Sequence, residues 1–170
     1  KIKGKRKLPI YFHTDASQAG LFLNCNTGSL GVDLMTIDAH KLYGPKGIGF
    51  LYKKNDVKFS PVFCGGSQEM SVRPGTVATP LVVGLGKAFE IAVSEQERDV
   101  DKVRELRDYF VNSINENVTG VVTNGSMKKR LPNNVNISIP VIDAEFFVIV
   151  LDQNNISCSS RSACLGQKDG

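Results

Sequence analysis

Apolar positions in this chain fall into a few short uninterrupted runs and one long stretch of helical spacing. Leu8–His13 is a short apolar run closing on polar His13, Thr14 and Asp15, and it predicts a buried strand. Ser17–Leu23 predicts a weak helical turn. Val32–Ile37 is a second apolar run, followed by Asp38-Ala39-His40-Lys41, and it predicts a second strand. A glycine-rich turn, Gly44-Pro45-Lys46-Gly47, then leads into a third strand at Gly49–Tyr52. Pro61–Gly75 contains Gly65, Gly66, Pro74 and Gly75 and reads as an extended loop.

From Pro80 the spacing becomes helical. Leu81, Leu85, Ala88, Phe89 and Ala92 share one face, which continues through Val100, Val103, Leu106, Phe110 and Ile114. The charged stretch Glu95–Asp108 suits a helix that leaves one core and enters another, so a domain boundary is expected near residue 95. Beyond it, Val121–Thr123 and Val135–Ile139 predict strands. Asp143–Gln153 predicts a helix with Asp143 as its N-cap, and Ile156–Ser159 predicts a last strand. The class is α/β, with mixed order in the second part.

Composition excludes several roles. The chain has 170 residues, 41% of them hydrophobic and 22% charged, with 21 Lys+Arg against 17 Asp+Glu. That is ordinary globular composition with enough apolar residues for a core. Basic residues are scattered except at Lys1–Lys7 and Lys128–Arg130, which read as solvated faces, so direct nucleic-acid binding is not expected. No apolar run approaches the roughly 18 residues of a membrane span, so no membrane partner is expected. The cysteines, Cys25, Cys64, Cys158 and Cys164, are far apart, and the histidines are two, His13 and His40. No close pairing of metal ligands exists, and the expected metal is none. Reduced thiols in a cytoplasmic compartment, or an organelle matrix, are the default.

Three segments carry candidate chemistry. His13-Thr14-Asp15-Ala16-Ser17-Gln18 places a carboxylate at a strand end, followed by a hydroxyl and an amide; by itself this pattern is more often that of a helix cap. Asp38-Ala39-His40-Lys41 sets a lysine between a histidine and the glycine turn, with Lys46 as a competing lysine. Ser159-Ser160-Arg161-Ser162-Ala163-Cys164-Leu165-Gly166 is a small-residue segment bearing a thiol, the exposed setting a reactive thiolate needs. Cys158 is the nearest rival, but it falls in an apparent strand and is expected to pack.

Taken in order, these segments resemble the cysteine desulfurases, NifS-like pyridoxal-phosphate enzymes of the class V aminotransferase group. The joint signal is Asp15-Ala16-Ser17-Gln18, then His40-Lys41-Leu42-Tyr43-Gly44-Pro45-Lys46-Gly47, then Gly65-Gly66 and Val72-Arg73-Pro74-Gly75-Thr76, and last Ser159–Cys164. The resemblance implies part of a fold type I transferase, like aspartate aminotransferase. Residues 1–95 would supply the C-terminal part of the large cofactor-binding domain, and residues 96–170 most of the small α+β domain with its cysteine loop.

The resemblance also implies roles. The cofactor is pyridoxal 5'-phosphate, whose ring nitrogen must stay protonated to draw electrons from the substrate Cα. Asp15 matches the carboxylate that pairs with that nitrogen, and Gln18 the residue that hydrogen-bonds the ring oxygen. Lys41 matches the lysine that forms the Schiff base and moves the Cα proton, while Lys46 belongs to the turn. His40 matches a contact on the phosphate side, and Thr76 one that reaches the phosphate of a partner subunit; Ser17 belongs to the same motif. Cys164 matches the nucleophile that takes sulfur from L-cysteine as a persulfide, leaving alanine. The implied partners are a second subunit in a homodimer and an iron–sulfur scaffold or other sulfur-acceptor protein.

The pattern departs from the family at two positions. Asp38 stands where a serine usually hydrogen-bonds the phosphate, and a carboxylate there would repel the phosphate unless it turned away or were neutralised. Arg161 stands at a usual glycine. Lys1 at the start and Gln167-Lys168-Asp169-Gly170 at the end predict a partial chain. Absent from it are the histidine that stacks on the ring, the early phosphate-binding turn and the arginine that grips the substrate carboxylate. The piece alone is expected to be inactive. The alternatives are another class V enzyme, such as a selenocysteine lyase or an aminotransferase, or a non-catalytic remnant that only binds a partner.

Overall fold

In the computed structural model, which describes residues 9–160, the first strand starts later than the apolar run predicts. Phe12 donates its N–H to the Asp33 carboxylate at 2.7 Å, and its carbonyl accepts from Asp33 and Leu34 at 2.8 and 3.2 Å. The regular ladder then begins at β1 (His13–Asp15), so the polar residues form the strand. Tyr11 and Phe12 are exposed, 43% and 52%, which corrects the expectation of a buried strand over the described part of Leu8–His13. The backbone of Phe12 is committed to Asp33 and Leu34, and its ring is left outside the core.

The second run behaves as its pattern requires. β2 (Leu34–Asp38) alternates, burying Met35 and Ile37, and pairs with β1 in parallel and with β3 (Gly49–Lys53) in antiparallel fashion. The sheet order is β1-β2-β3. Between β1 and β2 lie a run of turns and one short helix, α1 (Thr27–Leu30). Asn26 caps α1 by accepting from the Ser29 N–H at 2.9 Å, and Gly31 ends it in the left-handed region at φ 63°.

The core of this unit joins Val32, Met35 and Ile37 to Ala16, Leu42 and Ala92. Ala92 comes from α2 (Thr79–Asn117), a continuous helix of 39 residues. Phe89 of α2 meets Phe50 of β3 edge to face, with ring centroids 6.0 Å apart. Gln96 Nε2 donates to the carbonyls of Gly20 and Leu23 at 3.3 and 3.0 Å, fixing the turn after β1 to the helix. The exposed face of α2 carries ion pairs spaced three residues apart, such as Glu95–Arg98 and Asp101–Arg104.

The chain divides into two compact units within α2. The first runs to Leu106 and takes up Leu131–Asn133; the second comprises Arg107–Arg130 and the described residues from Asn134 onward. In the second unit β4 (Val122–Thr123) pairs antiparallel with β5 (Ile137–Ser138). Asn124 extends that pairing, donating its backbone N–H to the Asn136 carbonyl and its side-chain amide to Asn136 and Ser138. The Arg130 guanidinium donates to the Asn124 carbonyl. α3 (Ala144–Gln153) follows, and Asp143 caps it as its sequence position predicts, accepting from the Phe146 N–H at 2.8 Å. The expected strand at Ile156–Ser159 does not form. Asn155 leaves the helix at φ 60°, no described strand pairs with the segment, and Cys158 is exposed rather than packed.

Candidate functional site

Because β1 and β2 are parallel and in register at His13↔Leu34, Thr14↔Met35 and Asp15↔Thr36, their carboxyl ends leave the sheet along one edge. Open α/β sheets keep ligand sites outside such strand ends. The Ala16 N–H carries the pairing one step further, to the Thr36 carbonyl at 2.9 Å. Two sequence-distant segments therefore start from the same edge: Asp15-Ala16-Ser17-Gln18 after β1 and Asp38-Ala39-His40-Lys41 at the end of β2.

On the β1 side, Asp15 Oδ1 accepts the Ser17 N–H at 2.9 Å, which turns the chain directly after the strand. Hydrogen bonds from the Ser17 side chain and backbone hold the Asp15 carboxyl below its ordinary value; slight burial opposes this and the His13 charge adds to it. Asp15 is thus an exposed carboxylate that stays ionised. Gln18 follows on the same turn, also exposed. His13 Nε2 lies 2.9 Å from Thr36 Oγ1, a cross-strand bond that fixes the ring on the parallel pair.

On the β2 side, Asp38 Oδ1 accepts the His40 N–H at 3.0 Å and lies 2.7 Å from His40 Nδ1. His40–Leu42 form a single 3-10 turn, anchored where the Leu42 side chain enters the core. Tyr43 takes the left-handed conformation at φ 60°, and the Gly44 N–H closes the turn on the Ala39 carbonyl at 2.9 Å. A Cβ at Gly44 would stand 2.9 Å from the Ala88 Cβ and 3.0 Å from the Ala39 carbonyl oxygen, so only glycine lets the turn lie against α2. Lys41 sits in this anchored turn, half-buried, and no described residue hydrogen-bonds or ion-pairs its amine. Lys46 is exposed in the following turn, next to Gly47 at φ 84°.

The structure brings Asp15, Ser17 and Gln18 to the same sheet edge as Asp38, His40 and Lys41. Thr76 belongs to a different element, the exposed loop between β3 and α2. Gly75 before it adopts φ 104° and donates its N–H to Gln68 Oε1 at 3.1 Å. Among the described residues no hydrogen bond joins Thr76 to Asp15, Gln18, His40 or Lys41. Cys164 and Arg161 lie outside the described residues. Of the remaining thiols, Cys64 and Cys158 are exposed, while Cys25 is half-buried, donates toward the Leu23 carbonyl at 3.5 Å and has its pKa pushed up by burial.

Two contacts escaped the sequence reading. Asp33 is 95% buried, takes the Phe12 N–H, and pairs with Lys54 Nζ at 3.0 Å, whose charged form that bond favours. Its signal was an acidic residue inside an otherwise apolar run. The second is Asp38, whose carboxylate is turned onto the His40 backbone N–H of its own loop. The two-residue spacing, shared with Asp15 and Ser17, was the available signal.

The chain is similar in sequence and in fold to known proteins. The sequence profile of the family described as Aminotransferase class-V matches residues 2–168. A curated cysteine desulfurase IscS from Dictyoglomus turgidum is 42% identical over 159 residues, covering 94% of this chain and 40% of the relative. A solved NifS-like protein superposes with a TM-score of 0.84 at 31% identity, covering 92% of this chain and 42% of that one. A second solved structure, SspA in complex with cysteine, gives a TM-score of 0.65 at 33% identity, over 91% of this chain and 42% of that one. The chain spans about two fifths of the length of these relatives.

Proposed function

We propose that this chain, which belongs to the aminotransferase class-V family, is the cofactor-lysine and sulfur-carrying part of a cysteine desulfurase that converts L-cysteine to L-alanine. Its fold is the α/β fold of that family, a partial fold type I transferase. Among the described residues no helix is long and apolar enough to cross a membrane. The observation that carries the proposal is the convergence of Asp15 and Lys41 on one edge of a parallel strand pair.

The donor set suits pyridoxal phosphate. Ser17 keeps Asp15 ionised, which is the charge a protonated ring nitrogen requires. The Lys41 amine has no competing partner among the described residues. Asp38, the residue least suited to a phosphate neighbour, has its carboxylate engaged by His40. Bound pyridoxal phosphate would supply an electron sink for the substrate Cα.

The chain's own groups would divide the work. Asp15 holds a proton on the ring nitrogen, and Gln18 hydrogen-bonds beside it. Lys41 anchors the cofactor through Nζ and carries the Cα proton. His40 faces the phosphate, and Thr76 serves the phosphate of a second subunit in a homodimer. Cys164 receives the substrate sulfur as a persulfide for an iron–sulfur scaffold or another acceptor protein, in the cytoplasm or an organelle matrix. The proposed domains, 1–95 and 96–170, would assign the cofactor-binding residues to the first and Cys164 to the second.

Borohydride reduction of the complete protein with pyridoxal phosphate tests the reading. The phosphopyridoxyl adduct is expected on Lys41; an adduct on Lys46, or none, refutes it. A cysteine pulse followed by mass spectrometry should place the sulfane sulfur on Cys164, and a persulfide on Cys64 or Cys158 instead would remove the sulfur-carrying role.

A further inference from the structure

We propose that Asn124-Gly125 is a self-modification site, where spontaneous deamidation undoes the β4–β5 pairing at a rate set by how often that pairing opens. It is the only Asn-Gly pair in the chain. Gly125 carries no Cβ, lies exposed at φ 76°, and no described residue accepts its N–H. Its nitrogen is therefore free to react with the side chain before it. The Asn124 amide, by contrast, is tied down. Nδ2 donates to Asn136 Oδ1 and to Ser138 Oγ, each at 2.8 Å, and the backbone N–H donates to the Asn136 carbonyl at 2.9 Å. The Arg130 guanidinium donates to the Asn124 carbonyl, so main chain and side chain are both held. These bonds keep Cγ from the Gly125 nitrogen only while the strands stay paired. β4 and β5 are two residues each, and so short a pair opens readily.

The reaction needs only water. In the opened segment the Gly125 nitrogen attacks Asn124 Cγ. A Cγ–N bond forms, the Cγ–Nδ2 bond breaks, and ammonia leaves with the proton that the Gly125 N–H gives up. Water then opens the succinimide ring at one of its two carbonyls. One product is aspartate; the other is isoaspartate, whose main chain runs through Cγ. An aspartate carboxylate only accepts, so both donor bonds of the Asn124 amide are lost. Isoaspartate also lengthens the main chain by one carbon directly after β4, which displaces the carbonyl that Arg130 holds. The pairing that slowed the reaction is thus removed by it. None of the groups assigned to the sheet edge takes part.

The full chain is incubated at neutral pH, folded and in denaturant, and peptide mass spectrometry with enzymatic methylation of isoaspartate follows each asparagine. Asn124 should react first in both states, and several-fold faster in denaturant. Asn112, inside α2 and followed by Ser113, is the reference. Ser138→Ala removes one acceptor of the Asn124 amide and should raise the folded rate about fivefold, with the denatured rate unchanged. Ser138→Thr keeps the hydroxyl and should return the folded rate to that of the unmodified chain. Hydrogen exchange should show that chains modified at Asn124 have lost the protection of its N–H. Equal rates in the folded and denatured chain overturn the proposal, as does a folded rate that Ser138→Ala leaves unmoved. A modified chain that keeps the protected Asn124 N–H overturns the loss of pairing, and Asn112 reacting before Asn124 overturns the site itself.

Discussion

Asp15 and Asp38, which end two neighbouring parallel strands, bend their chains by the same device. Asp15 Oδ1 accepts the N–H of Ser17 at 2.9 Å, and Asp38 Oδ1 accepts the N–H of His40 at 3.0 Å. In each case the carboxylate takes a donor two residues on, so the turn is made by the side chain within the loop itself. The groups that follow, Ser17 and Gln18 on one side and His40 and Lys41 on the other, leave the sheet edge from comparable starting points. What differs is the second partner: serine at one turn, an imidazole at the other.

The Asp15 turn gives a pH dependence with a definite sign. An aspartate ordinarily titrates near 3.8, and Ser17 lowers this one in the folded chain. Its contribution to stability is therefore complete above the ordinary value and is lost as the pH falls through the folded one. Asp15→Asn should flatten the acid limb of stability, by under about 1 kcal/mol at this exposure. Denaturant titrations between neutral pH and about pH 2 measure it; superimposable acid limbs would disprove the assignment.

Gly49→Ala should destabilise the first unit. A Cβ at Gly49 would stand 2.6 Å from the Ile37 carbonyl oxygen, a backbone atom inside the β2–β3 ladder. Separating the strands to admit a methyl should reduce stability by about 1–3 kcal/mol. Gly86 in α2 is the control, since a Cβ there meets nothing within 4 Å. Gly86→Ala should raise stability by roughly 0.5–1 kcal/mol through helix propensity. Equal denaturation midpoints for the two variants would contradict the packing.

Removing the cap of α3 by Asp143→Ala should lower stability by about 1 kcal/mol, because the Phe146 N–H loses its acceptor. Amide hydrogen exchange should quicken first at the start of that helix. Asp143→Ser keeps an acceptor and should recover most of the loss; no recovery would mean that the carboxylate acts otherwise than as a cap.

Alkylation separates the described thiols. Cys64 and Cys158 are exposed, whereas Cys25 is half-buried with its pKa raised by burial. Under brief iodoacetamide treatment at neutral pH, the first two should be modified well before Cys25, as read by peptide mass spectrometry. Faster labelling of Cys25 would place its sulfur at the surface.

Legibility from sequence followed the reach of each interaction. The cap at Asp143, the helix from Pro80 and the apolar run of β2 depend on neighbours a few residues away, and each lies where its pattern places it. β1 was misplaced because its limits are set by Phe12 bonding across to Asp33 and Leu34, twenty or so residues along. The Ile156–Ser159 run has strand-like residues but no described partner, and pairing, not propensity, makes a strand. For the site, residue types pointed to Asp15, His40 and Lys41, yet only the parallel register shows that Asp15 and Asp38 end on one edge.

The mixed sheet also sets unequal costs for closing its two connections. The link from β2 to β3 holds roughly ten residues and that from β1 to β2 roughly eighteen, a difference of about 0.5 kcal/mol in closure entropy. The antiparallel β2–β3 hairpin thus closes the shorter loop, and that loop contains His40, Lys41 and the glycine turn. The parallel partner must be brought back from farther along the chain. On closure entropy alone, the lysine's turn is the cheaper to form, and Asp15 must be brought to it from farther along the chain.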